Sequence, residues 1–443
     1  MLCNMITLDA FIVLASLTIL IALLIWNKIE RHWIGLAIAV VLVVTGVVSP
    51  SEAIKYVNWD VLGLILGVGI FTVYLERSGL ATLAARYILK HSKGSPYTTV
   101  FLLSLLAGLV SIFMENVSVV LLFYPVVFTI SRSIEIDPRT PMILMALSAN
   151  IAGSATMIGD PPALITAGAF NLSFTDFIFY KGKPSMFFFT LVSMIVAIAL
   201  SAYLSVKRNA RIMSSRGVDH AVLGYDSQGS LDEIFVWEAA FFLSIKIILL
   251  SLRNILSIPL SFSAFIAVSG ITIARLIHRD RGSVKEAFRH GFEWRLLIFL
   301  ASLFILSGAF EKHGIAKILA EYLVKEFSYN IFGLTSVIMW LCVALSSVID
   351  NVPITLTMIP IVKTMSSITS HDPVILMWAA LIGITLGGNF TYIGASANVT
   401  AVRMLEKNGY KIGFLDFMKV SIIYNATSVL LAWLLYSLIY IVA

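Results

Sequence analysis

An all-α integral membrane protein of two inverted repeats, each with a re-entrant hairpin and a broken transmembrane helix, is the fold class this sequence predicts. Three observations lead there. The first is solvent: 59% of the 443 residues are hydrophobic and 13% are charged, with a mean hydropathy of +0.94. Nearly every long segment must therefore lie in lipid or be covered by one that does. The second is a duplication. Trp59–Ile88, WDVLGLILGVGIFTVYLERSGLATLAARYI, returns 235 residues later as Trp294–Leu323, WRLLIFLASLFILSGAFEKHGIAKILAEYL. The third is that the same offset sets Glu115-Asn116-Val117 over Asp350-Asn351-Val352 and Pro125 over Pro360. It also sets Gly153, Thr156 and Gly159 over Gly388, Thr391 and Gly394. A repeat of this kind marks a transporter with a site near the midplane, made from the polar, helix-breaking pieces that recur in both halves.

Taken in order, the apolar segments begin with spans at Phe11–Trp26, Trp33–Val48 and Asp60–Leu75, followed by an amphipathic piece at Gly79–His91. Two arms, Tyr97–Met114 and Val117–Ser131, are parted only by Glu115-Asn116. Pro141–Phe170 is apolar but interrupted by GDPP, and Met186–Val206 closes the half. The charged stretch Lys207–Asp232 divides the chain into a first membrane repeat (1–206), a cytoplasmic linker (207–232) and an inverted second repeat (233–443). The second half opens with Ile234–Leu252 and Ile255–Ile277. It then repeats the pattern as Trp294–Phe310, Gly314–Phe327, the arms Ile331–Ile349 and Val352–Met365, the interrupted Val374–Met404, and Phe417–Ala443.

Arms that meet at an acidic-Asn break are either full spans with a tight turn or a re-entrant hairpin, which lipid tolerates where protein encloses it. The basic residues choose the hairpin. With both pairs re-entrant and both termini outside, the Lys and Arg of Lys207–Arg216, Arg279–Arg289 and Arg403–Lys411 fall inside, as the positive-inside bias requires. The same assignment makes the duplication inverted. It also accounts for the net charge of +6 without nucleic acid as a partner. The partner of this surface is the lipid bilayer of the cell membrane, crossed many times. Residues 1–9 lack a basic run before the first apolar segment, which reads as a retained span.

The candidate site follows from what lipid makes costly. Glu115 and Asp350 place a carboxylate at an apolar break in each half, beside Asn116 and Asn351 and near Ser118 and Thr355; a charge at that depth costs several kcal/mol unless paired or hydrated. The second constellation is Ser148–Thr166 (SANIAGSATMIGDPPALIT) against Gly387–Ala401 (GGNFTYIGASANVTA). Pro161-Pro162 removes two backbone donors and disfavours helix at Asp160. A broken span exposes carbonyls on one side and N–H groups on the other. Asn150, Ser154, Thr156, Asp160, Asn389, Thr391, Ser396 and Asn398 add side-chain oxygens around the two breaks. This all-oxygen set suits Na+, or a proton carried on a carboxylate, as coupling ion; it does not suit a transition metal. Glu238 and Lys246 lie near span ends and can snorkel. Cys3 and Cys342 are too few for a disulfide or thiolate metal framework. GxxxxGK[ST], HExxH and GxSxG are all absent, so no ATPase or hydrolase is expected, and no cofactor.

ENVSVVLLFYPV, SANIAGSATMIGDPPALI, DNVPITLTMIP and GGNFTYIGASANV resemble the ion transporter superfamily, in the branch of the arsenite/antimonite permeases, the P protein and related Na+/H+ antiporters. The resemblance implies hairpin tips at Glu115-Asn116 and Asp350-Asn351, unwound helices at Thr156–Pro162 and Thr391–Asn398, and a homodimer. Some arsenite systems add a separate soluble ATPase as partner. Ala163 stands where the family continues GDPP with Asn, Glu115 where Asp is common, and Phe390 where Gly is usual, which argues against two equal ion sites. The Ser-Asn-Thr signatures of related dicarboxylate symporters are missing. Three motif acids without a motif Arg or Lys favour a proton, Na+ or a small neutral inorganic hydroxide. The expected activity is secondary transport, first an arsenite-type exporter exchanging substrate for protons, then a Na+/H+ antiporter, then an organic or inorganic anion transporter. An ion channel is the rival of another class, distinguished by uncoupled flux. A tag at Gly217 should be reachable only from the cytoplasmic side; labelling from outside in intact cells would overturn the orientation.

Overall fold

The computed structural model describes residues 7–26, 28–79, 95–134, 136–209, 232–327 and 330–442. Most of the amphipathic piece at 79–91 and of the linker at 207–232 lies outside them. The described chain is helical throughout, apart from a two-residue β-ribbon, Phe179–Tyr180 with Lys183–Pro184. Among the described residues eight helices are long and apolar enough to cross a membrane.

The first half runs α1 (Leu8–Trp26), α2 (Arg31–Val44), α3 (Pro50–Tyr56), α4 (Trp59–Arg77), α5 (Pro96–Ser111), α6 (Asn116–Ser133), α7 (Arg139–Gly153), α8 (Pro161–Ala169) and α9 (Met186–Asn209). The second runs α10 (Glu233–Leu256), α11 (Leu260–Ile277), α12 (Arg281–Gly291), α13 (Trp294–Lys312), α14 (Ile315–Glu326), α15 (Ile331–Ser346), α16 (Asn351–Thr369), α17 (Pro373–Gly387), α18 (Ser396–Lys407) and α19 (Phe414–Ser437). The hairpin arms α5 and α15 start and stop at residues 235 apart, as 331 − 96 and 346 − 111 show. Most starts are chemically marked. Asn58, Glu115, Asp160, Asp232, Asp280, Asp350 and Asp372 each accept a first-turn N–H with the side chain, and Pro50, Pro96, Pro161 and Pro373 occupy a first-turn position where no donor is lost.

Two expectations are corrected. The span expected at Trp33–Val48 is a helix of only 14 residues, about 21 Å long by its rise, because Gly46 at φ +78° ends it before a new cap at Ser49. Lys246 does not snorkel. It sits midway along α10, is 0% exposed, and its Nζ lies 5.3 Å from the Phe71 ring centroid with no hydrogen-bond partner. Glu238 is satisfied by Arg275 and by His278 at 3.0 Å, and the buried Arg275 stacks 4.3 Å over Phe235.

The halves exchange helices. α2 packs on α13 and α11 on α4, each pair taking one helix from each repeat, while α9 packs on α19. Each hairpin lies against its own broken helix (α5 on α7, α15 on α17) and also meets the far half-helix of the opposite repeat (α6 on α18, α16 on α8). Polar ties mark the loops. Lys312 and the Ser49 cap hold the Glu52 carboxyl down at about 2. Burial resists ionisation of Asp372, but the hydrogen bonds from Lys181, the Val374 N–H and Tyr180 outweigh it and keep the carboxyl below its usual range.

The breaks are pinned to the hairpin turns in the same way twice. Thr156 Oγ1 donates to the Ile112 carbonyl at 2.7 Å and Thr391 Oγ1 to the Ser347 carbonyl at 2.5 Å. Gly159 sits so close that a Cβ would overlap the carbonyl oxygens of Ser111 and Gly153; at Gly394 it would overlap that of Ser346 and crowd that of Gly388. Backbone atoms cannot rotate away, so Gly159→Ala and Gly394→Ala should each sharply lower the yield of monodisperse protein from detergent. Unchanged yield and melting temperature would show that hairpin and break separate freely. Lys246→Met should do the opposite, raising stability by about 1–3 kcal/mol, the usual cost of an unpartnered buried polar group. A lower melting temperature would mean that the amine has a partner in the folded protein.

Candidate functional site

The hairpin tips and the breaks come together as two polar clusters joined by a chain of amides. In the first half Ser111 Oγ donates to Asn116 Oδ1 at 2.7 Å, and Asn116 Nδ2 to Asn150 Oδ1 at 3.3 Å. Asn150 Nδ2 then crosses to the second half, donating to Asn389 Oδ1 at 2.9 Å and to the Thr385 carbonyl at 3.2 Å. Asn389 Oδ1 also accepts from Asn398 Nδ2 at 3.0 Å, while its own amide donates to the Leu147 carbonyl at 3.0 Å. Ser346 Oγ donates to Asn351 Oδ1 at 2.6 Å, repeating the Ser111–Asn116 bond. Five of the expected residues (Asn116, Asn150, Asn389, Asn351 and Asn398) are thus buried amides organising the breaks.

Others serve nearer neighbours. Ser154 Oγ donates to the Ile151 carbonyl at 2.9 Å and Thr355 Oγ1 to the Asn351 carbonyl at 2.8 Å, both within their own turns. Thr156 and Thr391 spend their hydroxyl protons on the hairpin turns, so they fasten the breaks as well as offering oxygens to them.

The two halves differ in charge. A narrow cavity is lined by Glu115, Ser118, Gly159, Asp160 and Glu293, with Thr72 and apolar side chains such as Ile65, Leu164 and Leu296 around them. It has room for about one or two water-sized occupants. Asp160, 3% exposed, caps α8 with Oδ1, which accepts from the Ala163 N–H at 3.0 Å; its Oδ2 has no hydrogen-bond partner. Glu115 caps α6 through the Ser118 N–H at 3.0 Å. Because Pro161 and Pro162 have no N–H and Ala163 is already bonded, the start of α8 has no free donor in its first three residues. An anion finds little there. A proton, a small cation or a neutral hydroxyl donor finds carboxylate oxygen.

At the second tip, Arg31 Nη1 donates to Asp350 Oδ2 at 2.7 Å and to Ser396 Oγ at 3.0 Å. The charge reading that counted three unopposed acids is corrected here, because a guanidinium from α2 opposes Asp350. Asp160 has its counterpart in Ala395, and Asn398 in Ala163, as 160 + 235 and 163 + 235 show. Each break therefore carries one buried oxygen without a protein partner, Asp160 Oδ2 in one and Asn398 Oδ1 in the other, from different positions. Among the described residues no group of three His, Cys, Asp or Glu is placed to hold a metal ion.

Sequence reasoning missed Glu293, Glu76 and Arg31. Glu76, bonded to Ser118, had a signal in the repeat, where it aligns with Glu311. Glu293, just before Trp294, reads as an interfacial acid, and Arg31 lies 319 residues from its partner.

Comparison with known proteins agrees with this architecture. The profile of the citrate transporter family, CitMHS, matches residues 21–383. An uncharacterized transporter of Mycobacterium tuberculosis is 28% identical over 421 residues, covering 93% of this chain and 95% of the relative. An uncharacterized transporter of Synechocystis is 26% identical over 90% of this chain and 92% of its own length. The P protein of Mus musculus is 26% identical over 87% of this chain, which spans 54% of that longer protein. Two solved structures share the fold at a TM-score of 0.59. They are the YdaH transporter of Alcanivorax borkumensis (16% identical; 86% of this chain, 84% of that one) and MtrF of Neisseria gonorrhoeae, described as an antimetabolite efflux pump (17%; 91% and 85%). The chain belongs to the citrate transporter family and is a multi-pass membrane transporter.

Proposed function

We propose that the chain is a secondary transporter that couples protons to the passage of a small inorganic hydroxide, in the manner of an arsenite/antimonite exporter. The observation that carries this reading is Asp160 Oδ2, buried without a partner among the described residues in a small cavity that Glu115 and Glu293 share and that no described Lys or Arg lines. A neutral hydroxide, larger than the one or two waters the cavity holds as it stands and so admitted only when it opens, would donate hydrogen bonds to such oxygens and bring no charge that the acids would repel. A proton taken up on one of them lowers the cost of burying two or three carboxylates together. The pinned breaks and the amide chain hold these oxygens in place. The described residues show no nucleophile–base set, so chemistry on the substrate has no support.

A second reading, transport of a carboxylate anion, is favoured by the other half and by the family's description. Arg31 stands at the second tip beside the start of α18, whose residues, unlike Pro161-Pro162, keep their N–H groups. On that reading protons bind in the first half and the anion in the second.

Proteoliposomes with imposed pH and Na+ gradients, offered arsenite, citrate and Na+ in turn, separate these readings. Arsenite should move with the proton gradient, and Asp160→Asn should slow it by at least about tenfold, since a hydrogen bond to a charged group is worth about 1.5–3 kcal/mol. Citrate flux that Arg31→Gln abolishes would install the second reading. Dissipation of a pH gradient on adding Na+ alone would make the protein a Na+/H+ antiporter, and unsaturable flux coupled to nothing would make it a channel.

A further inference from the structure

The cavity's three acids are graded by depth. Glu293 occupies the two-residue bend between α12 and α13 and is exposed; Glu115 at the hairpin tip is half-buried; Asp160 is buried. They come from three separate elements yet line one cavity. Glu115 and Asp160 are occupied in capping α6 and α8, whereas Glu293 stands at the N-cap position of α13 without making a side-chain cap bond. Its position is firm, because Gly291 beside it packs directly on the backbone of Gly69 and Ile70 in α4.

Among the described residues none is paired with it. Arg295 turns to Glu30 at 3.0 Å and His290 to Glu286 at 3.1 Å, and among the described residues neither Glu293 nor Glu115 has an ion-pair partner within 4.0 Å. The other groups facing the three acids are Glu76 of α4, which is bonded to Ser118, and the hydroxyls of Thr72 and Ser118. At the bottom Asp160 Oδ2 is buried and unpartnered. A carboxyl oxygen so placed needs a hydrogen from somewhere, and among the described residues the other carboxyls that line this cavity are Glu115 and then Glu293.

We infer that Glu293 is the port of a proton path to Asp160, with Glu115 as the relay between them. In each step a carboxylic acid gives its proton to the next carboxylate, directly or through one water, and is reprotonated from the side open to solvent. Charge therefore balances, and no group besides water is needed. The path joins the repeats: the port belongs to the second half, the relay and the terminal acceptor to the first. Glu293 is a proton-transfer residue that need not touch the transported substrate. The inference rests on the proposed proton coupling but can be tested without transport.

Infrared spectroscopy of the purified full-length protein, equilibrated at acid pH and moved into deuterated buffer, can follow the carboxylic acid band of Asp160, identified by its absence in Asp160→Asn. Glu293→Gln should slow deuteration of that band several-fold, Glu293→Asp much less. Azide or formate, small acids able to carry protons past a missing port, should restore the rate in Glu293→Gln. In proteoliposomes the same variant should slow proton movement driven by arsenite and respond to the same rescue. Unchanged deuteration in Glu293→Gln overturns the inference, as does slowing that azide and formate leave untouched, or the lack of an Asp160 acid band at any pH. Wild-type vesicles in which arsenite moves no protons, combined with slowed and rescued deuteration, would leave the path standing and remove the proposed function.

Discussion

Backbone that leaves the helix at membrane depth must find its hydrogen bonds inside the protein, and the rest of this structure is organised around meeting that demand twice. Lipid offers no donor or acceptor, so a break between α7 and α8, or between α17 and α18, survives only if another element encloses it. The hairpins do this. Their turns lend the carbonyls of Ile112 and Ser347 to Thr156 and Thr391, and their tips lend Asn116 and Asn351. Gly159 and Gly394 are glycine because the enclosure leaves no room for a Cβ. The hairpin and the break are therefore one object, and neither would be stable at that depth alone.

This explains how much could be read from the residues. The repeat was legible because a shared packing problem kept its punctuation: an acid and Asn at the tip, Pro125 and Pro360 in the second arm, Gly-x-x-Thr-x-x-Gly at the break. The roles of those residues were less legible. Whether a threonine hydroxyl faces the cavity or a neighbouring carbonyl depends on an element 44 residues away. Lys246 looked like an interfacial lysine because hydropathy averages a helix over all its faces and cannot tell lipid from the Phe71 side. Arg31 and Glu293 needed the fold itself, since pairing across hundreds of residues leaves no local pattern. The short α2 was missed because apolar character continues to Val48 while the backbone turns at Gly46.

The site is symmetric in scaffold and asymmetric in charge. The two enclosures are alike but their charges differ: unopposed carboxylates and a Pro-Pro pair at one, a guanidinium bonded to Asp350 and a half-helix without prolines at the other. The two breaks thus present different charges on one frame.

The amides of Asn116, Asn150, Asn389 and Asn398 form an unbroken line across the junction of the repeats. Such a line is a mechanical tie-rod. If one tip is displaced, the strain passes through two side chains into the opposite break before any large element has moved. The two clusters therefore share one set of hydrogen bonds, and neither is bonded independently of the other.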